Sequence, residues 1–531
     1  MPSDCISFKD TGYFSKLICD YLAEAETLKP FYNRFPKLEN FKAQIEEKSA
    51  SFKQETRNTL VEVLKKQYQK NETSSATLSN IEALKDSKTF TVTTGHQLNL
   101  FTGPLYFLHK IVSTINLAKQ LKDEYPDNNI VPIYWMASED HDFDEINYFN
   151  FKGKKIQWNR ESSGAVGELN TEGLQDVFNI FSQELGLGKN AEALRELFTN
   201  GYLKHDNLAD ATKYIANALF GEYGLVIVEA NNTELKRLFV PHIERELLEQ
   251  ISEQKVLETN AEIEALDFGL QVNPRAINLF YITKDIRERI VLENDVYKVL
   301  NTNISWSKSE ILKEVYDFPE RFSPNVILRP LYQEVILPNL CYIGGGGELA
   351  YWFQLKSNFK VHNVVFPMLL LRNSVLIKTK QQADKLVNLN ISNKDIFLKR
   401  ESFINKKVRA ISNIDIDFSE QIKHLKNQFK ELYTLAEQTD ESFVGAVSAQ
   451  EKKQVNGLQN LEKRLLTAQK RKLKDQVERM TDLQNQLFPN NSLQERNTNF
   501  SELYLEFGNQ LVPNLIENLE PLKGEFTVLT F

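Results

Sequence analysis

The stretch WMASEDHDFDE, Trp135 to Glu145, places five acids and one histidine in the seven positions from Glu139 to Glu145. It follows the apolar run IVPIYWM, which reads as a buried strand. In open α/β sheets, ligands bind beyond the carboxyl ends of the strands. Ser138, Glu139, Asp140, His141 and Asp142 are therefore candidate site residues, and Asp140, His141 and Asp142 the candidate catalytic groups. Crowded carboxylates repel, so cations, hydrogen bonds or water must compensate them. Three chemistries fit: binding a substrate ammonium, ligating a metal, or accepting a proton as general base. The bland alternative is a solvated loop with helix-capping acids. The density of charge beside a strand end favours function. His141 has no obvious partner at ligand spacing, so no metal site is read here.

A second candidate is TTGHQLNLFTGPLYFLHK, which joins a strand to a helix. Backbone amides at a helix N-terminus can bind an anion. The loop contributes Gly95, His96, Gln97, Thr102 (the expected N-cap) and Gly103. His109, inside the helix, reads equally well as a core residue. A third candidate is YIGGGGELAYW, where Gly344, Gly345, Gly346 and Gly347 lead into a helix with Glu348 in its first turn, flanked by Tyr342 and Trp352. Four adjacent glycines are entropically costly, so close approach of backbone to a ligand is the better reading than a flexible turn, and their amides at the helix start are expected to form an anion site. Arg275, Arg329 (expected at a strand end) and Arg372 could each pair a carboxylate or phosphate, or be structural. Cys341 reads as core.

The elements that must position these residues follow from pattern. At 531 residues with 41% hydrophobic content, two or three domains are expected. The net charge of −8 and the lack of a basic patch argue against nucleic acid or an anionic membrane as partner. The most apolar run, VVFPMLLL, is too short to span a bilayer. The N-terminus has no signal-peptide pattern, and three cysteines without a CxxC fit a reducing cytoplasm. Residues 12–85 read as helices, and KTFTVTTGHQ, the helix after it and NNIVPIYWMAS form a βαβ unit. The fold class is α/β: a parallel-sheet core over 1–150 and 206–400, a mostly helical first insertion at 151–205, and short antiparallel strands at 270–305 as a second. Residues 401–500 read as a helical domain. Within it, heptad-like spacing over about 415–488, imperfect near Leu473 and stopped by Pro489, predicts a helical hairpin. A tail helix and the strand EFTVLTF, in 501–531, would return to the core.

Five segments carry a resemblance: TGHQLNLFTGPLYFLHKI, PIYWMASEDHDFDEI, QVNPRAINLFY, LRPLYQEVILPNLCYIGGGGELAYW and LQERNTNF. In order and spacing they resemble the BshC family, the cysteine-adding enzymes of bacillithiol biosynthesis, a low-molecular-weight thiol. The resemblance covers nearly the whole chain. It implies a Rossmann-like core with two connecting insertions, related in shape to class I aminoacyl-tRNA synthetases and pantothenate synthetases. It also implies a coiled-coil hairpin and a homodimer. The implied reaction is a ligase step joining the carboxyl of L-cysteine to the amine of glucosaminyl-malate. The HxGH and KMSKS signatures of the synthetases are not readable, so ATP or another nucleotide enters by analogy, with no permanently bound cofactor expected. Two other readings of the residues stand beside it: a metal-dependent hydrolase of an amino sugar, and a coiled-coil scaffold with a degenerate core.

Overall fold

The structure is a computed structural model and describes residues 3–69 and 73–531. Residues 70–72, inside the stretch read as helical, and residues 1–2 of the N-terminal reading lie outside the described residues. The chain divides into two compact units. The first runs to Leu376 and takes in Gln494–Leu529; the second is Ile377–Leu493.

At the centre of the first unit is a five-stranded sheet. Its strands are β1 (Thr89–His96), β2 (Asn129–Met136), β3 (Val226–Glu229), β4 (Asn339–Gly344) and β5 (Met368–Leu371). The spatial order is β5-β4-β1-β2-β3, with every pair parallel. The chain builds outward from β1 in one direction, then returns to build on its other side. That reversal puts a crevice between the carboxyl ends of β1 and β4. β1 is threonine-rich yet wholly buried. Three of its four hydroxyls are satisfied: Thr91 and Thr93 donate to Asn339 Oδ1 at 3.2 and 2.9 Å, and Thr94 donates to the Ile343 carbonyl at 2.7 Å, while Thr89 Oγ1 is buried without a partner. Helix α1 (Tyr106–Glu124) has 13 of its 19 residues buried, including Lys110, Ser113 and Thr114. It is enclosed nearly all round, so its polar side chains must find partners inside the protein.

The first insertion contains a two-stranded hairpin, Tyr148–Phe151 with Lys154–Gln157, before the helices Leu174–Leu185 and Lys189–Tyr202. The second insertion is a five-stranded antiparallel sheet that extends past 305 to Trp306 and also takes in Phe322–Pro324. The C-terminal strand Phe526–Thr530 lies beside Ser3–Ile6 in antiparallel register, not in the parallel sheet. The N-terminal strand supplies the ladder partner that a terminal strand needs.

In the second unit, helix Ser419–Ala436 packs along Glu441–Lys472 through Phe429, Ala436 and Val447. Asp440 caps the longer helix by accepting from the Ser442 and Phe443 amides. The expected break falls at Leu473, after which Lys474–Leu487 continues. The unit spans 377–493 where the pattern suggested 401–500, because Gln494 onward packs with the first unit. Among the described residues no helix is long and apolar enough to cross a membrane.

The loop between β1 and α1 departs from expectation. Thr102 does not cap α1, which starts at Tyr106 with Leu105 before it. Phe101, Thr102 and Gly103 instead take positive φ in succession, 47°, 69° and 64°. A Cβ at Gly103 would stand 2.7 Å from that of Asn99. Such backbone persists only where its surroundings over-determine it. Here Asn499 Nδ2 donates to the Phe101 and Gly103 carbonyls at 2.8 and 2.6 Å, and Tyr202 accepts the Phe101 amide at 2.7 Å. Asn499→Ala should therefore cost about 3 kcal/mol in a urea unfolding titration, since two buried carbonyls lose their donor. A loss below about 0.5 kcal/mol would mean that the loop holds its shape without this clamp.

Candidate active site

A cavity of about 620 Å³ opens at the carboxyl ends of β1, β2 and β4. One wall is built around Lys110. Its ammonium, buried on α1, donates to the Gly95 carbonyl at 2.8 Å and pairs with Glu348 at 2.6 Å. Glu348 lies in the first turn of α2 (Gly346–Phe353). It accepts the Gly345 amide at 2.8 Å through Oε2 and the Tyr342 hydroxyl at 2.7 Å through Oε1. Burial alone would raise this carboxyl, but the Lys110 charge and these bonds hold it below the usual range. Gly95 is small for a reason: a Cβ there would sit 3.1 Å from the Tyr342 hydroxyl. Trp352 is buried behind, its ring 4.5 Å from that of Tyr342, and does not line the cavity.

This geometry corrects the expected anion nest. None of the four glycines takes a positive φ. Gly344 ends β4, outside the cavity lining, where a Cβ would press on Glu348 and Tyr342 at 3.0 Å. The Gly345 amide is already taken by Glu348. Gly345, Gly346 and Gly347 do line the cavity. Thr102 and Gly103 do not; the Gly103 amide is spent on the Leu100 carbonyl at 2.9 Å.

The acidic loop follows β2, on the same sheet edge as the glycines. The two of its acids that line the cavity, Glu139 and Asp140, are charge-paired. Glu139 pairs with the buried Lys236, which also donates to the Phe322 carbonyl at 2.8 Å. Asp140 accepts from Gln97 Nε2 at 3.0 Å and from the His141 amide at 2.8 Å, with Arg287 4.0 Å away. Burial would raise Asp140; the bonds from His141 and Gln97 and the Arg287 charge hold it well below the usual carboxylate range. Ser138 donates to Glu229, at the end of β3. The first insertion pins the loop: the Val166 amide donates to the Asp140 carbonyl at 2.7 Å and the Gly167 amide to that of Ser138 at 2.9 Å. A Cβ at Gly167 would stand 2.6 Å from Ser138 Cβ. Past Asp140 the chain turns outward into the short helix Phe143–Ile146, which leaves His141 and Asp142 exposed and outside the cavity lining. His141 Nδ1 accepts from Arg287.

Of the expected residues, Gly95, His96, Gln97, Ser138, Glu139, Asp140, Arg329, Tyr342, Gly345, Gly346, Gly347, Glu348 and Arg372 line this one cavity. Arg275 is exposed and elsewhere. His96 is buried with Nε2 unpartnered, and burial and Lys110 push its pKa well down. Arg329 begins the helix Arg329–Ile336, not a strand end. Sequence reasoning missed Lys110, Arg287, Arg496, Tyr106 and Tyr351, which also line the cavity. Lys110 stood one residue past a histidine already singled out, and Arg496 inside LQERNTNF. Nothing local marked Arg287.

The lining carries five basic residues against three acidic ones. Arg372 Nη2 pairs with the buried Glu495 at 2.7 Å, while its Nε is buried without a partner. Glu495 also bonds His109 Nδ1 at 3.2 Å and the Val375 amide at 3.0 Å. Among the described residues neither Arg329 nor Arg496 has a carboxylate within ion-pair distance. Arg329 donates instead to Gln333 and Tyr351 at 3.1 and 3.3 Å.

Residues 1–373 match the family model for bacillithiol biosynthesis BshC, N-terminal Rossmann-like domain, and 375–531 match that for the C-terminal coiled-coil domain of the same family. The chain belongs to the BshC family. It is 60% identical over 535 residues to a protein of Christiangramia forsetii named "Putative cysteine ligase BshC", covering 100% of this chain and 99% of that one. Under the same name, a Flavobacterium johnsoniae protein is 59% identical over 530 residues, covering 100% of both chains. A Cytophaga hutchinsonii protein of that name is 38% identical over 517 residues, covering 97% of this chain and 96% of that one. The BshC fold thus brings the five quoted segments, scattered along the sequence, into one unit.

The Glu495 cluster sets a pH dependence. Burial would raise Glu495, but Arg372 and the bond from His109 hold it far below the ordinary value. A depressed acid contributes stability that is present above its unfolded pKa, about 4.3, and is lost as pH falls toward the folded one. Glu495→Gln should cost about 3–5 kcal/mol at pH 7, because Arg372 is left buried without its charge partner. In urea titrations at several pH values, the gap to the unsubstituted protein should narrow below about pH 4. A gap independent of pH would contradict the pairing.

Proposed function

We propose that this chain joins the carboxyl of L-cysteine to the amine of glucosaminyl-malate by an amide bond, completing bacillithiol. The supporting observation is the surplus of positive charge at the switch-point crevice. Among the described residues Arg329 and Arg496 have no carboxylate within ion-pair distance, and Arg372 keeps a buried donor unused. A malate unit carries two carboxylates, which such guanidinium groups match. Asp140, the acid of the expected catalytic set that lines the cavity, takes the amine's ammonium form. A free carboxylate resists attack by an amine, so the cysteine carboxyl needs activation. ATP or another nucleotide as co-substrate is the activator most in keeping with the Rossmann-like core, and no cofactor stays bound. The chain works as a homodimer through its helical hairpin, on which Leu432, Leu435 and Phe443 are exposed.

Calorimetric titration with glucosaminyl-malate tests the substrate. Arg329→Ala and Arg496→Ala should each weaken binding about tenfold or more, the scale of a hydrogen bond to a charged group. Arg275→Ala, outside the cavity, should leave it unchanged. Unchanged affinity in both of the first two variants refutes the assignment. For assembly, sedimentation should give a dimer for the full chain and a monomer when Leu435 and Phe443 are both replaced by Glu. A dimer that survives this double change removes the hairpin from the interface.

A further inference from the structure

An amine attacking an acyl group must shed a proton, and the cavity's evident acids serve poorly. Asp140 is held far below neutrality by its partners. Glu348 is fully engaged with Lys110, Tyr342 and the Gly345 amide. His96 is driven down by burial and Lys110. Behind Ser138 lies another carboxylate. β2 and β3 run in register with Met136 opposite Glu229, so the residues just beyond both strand ends meet. Ser138 Oγ donates to Glu229 Oε1, which also accepts the Asn231 amide at 3.0 Å. Glu229 Oε2 is enclosed with no hydrogen-bond partner. Ser138 faces the cavity; Glu229 does not.

We propose that Ser138 and Glu229 form the proton relay of the ligation, with Ser138 touching the substrate amine and Glu229 acting through it as a positioning residue and proton store. This rests on the ligase reading above, with the cysteine carboxyl presented as an acyl phosphate. The ammonium held by Asp140 first loses one proton to solvent; the neutral amine then attacks the acyl carbon and the N–C bond forms. The C–O bond to phosphate breaks, and the phosphate leaves with its electron pair. One N–H proton passes to Ser138 Oγ as the serine proton passes to Glu229 Oε1. Because Ser138 donates to Glu229, its oxygen lone pairs remain available to the amine. The basicity suits the task. Burial first, then the Glu139 charge, raise Glu229 to about 7, against the bonds from Ser138 and Asn231 and the Lys213 charge. Lys236, Tyr134 and Tyr332 also face it.

The test is steady-state ligation by the full chain across pH 5.5–8.5, with glucosaminyl-malate and cysteine activated as the acyl phosphate. The rate should rise with pH and level off above about 7, as Glu229 loses its proton. Glu229→Gln should lower kcat about a hundredfold or more, abolish that limb, and leave the KM for glucosaminyl-malate within about threefold. Ser138→Ala should do the same, and Ser138→Thr, which keeps the hydroxyl, should recover part of the rate. Calorimetric binding of glucosaminyl-malate by each variant establishes that it is folded. An active parent with Glu229→Gln retaining the same limb, or a kcat within about threefold, overturns the relay alone. A parent that binds both substrates and forms no amide overturns the ligase reading, and the relay with it.

Discussion

The buried Lys110 ammonium is the contact on which the rest of the site depends. It ties the carboxyl end of β1, through the Gly95 carbonyl, to the first turn of α2, through Glu348. These two ends face each other across the point where the sheet reverses direction. A charge taken out of water is tolerated only with a close counter-charge and further hydrogen bonds. Lys110 has both, and Glu348 in turn is held by the Tyr342 hydroxyl and the Gly345 amide. The crevice therefore stays open and polar rather than collapsing into the apolar core around Phe90, Val92 and Ile343.

The same logic extends around the cavity. Glu139 is neutralised by Lys236, Asp140 by Arg287 with a hydrogen bond from Gln97, and Arg372 by Glu495. What is left over is positive: Arg329, Arg496 and the idle Nε of Arg372. Pairing the acids leaves the crevice suited to an anionic substrate, although the segment that first drew attention is the most acidic in the chain.

Segments far apart in sequence supply the supports. The first insertion pins the Ser138–Asp140 loop through Val166 and Gly167, and the second delivers Arg287. The residues after the helical unit deliver Glu495, Arg496 and Asn499, which brace Arg372, line the cavity and clamp the strained Phe101–Gly103 loop. The chain leaves the core at Ile377 and rejoins it at Gln494, so the core is completed only by its last residues.

Several features were legible in the sequence alone: the βαβ rhythm, the parallel core, the helical hairpin with its break at Leu473, and three of the loops that meet at the crevice. These rest on periodicity and on residues a few positions apart, where hydrophobic pattern and backbone preference act. Tertiary structure decided the rest. The glycine run read as an anion nest because Glu348, three residues on, could not be seen to occupy the Gly345 amide. Asp142 and His141 read as catalytic because the outward turn after Asp140 has no local signature. Glu229 and Arg287 were passed over because nothing near them in sequence marks their chemistry. Charge pairing and burial depend on which distant side chains the fold brings within a few ångströms, and a linear pattern does not carry that information.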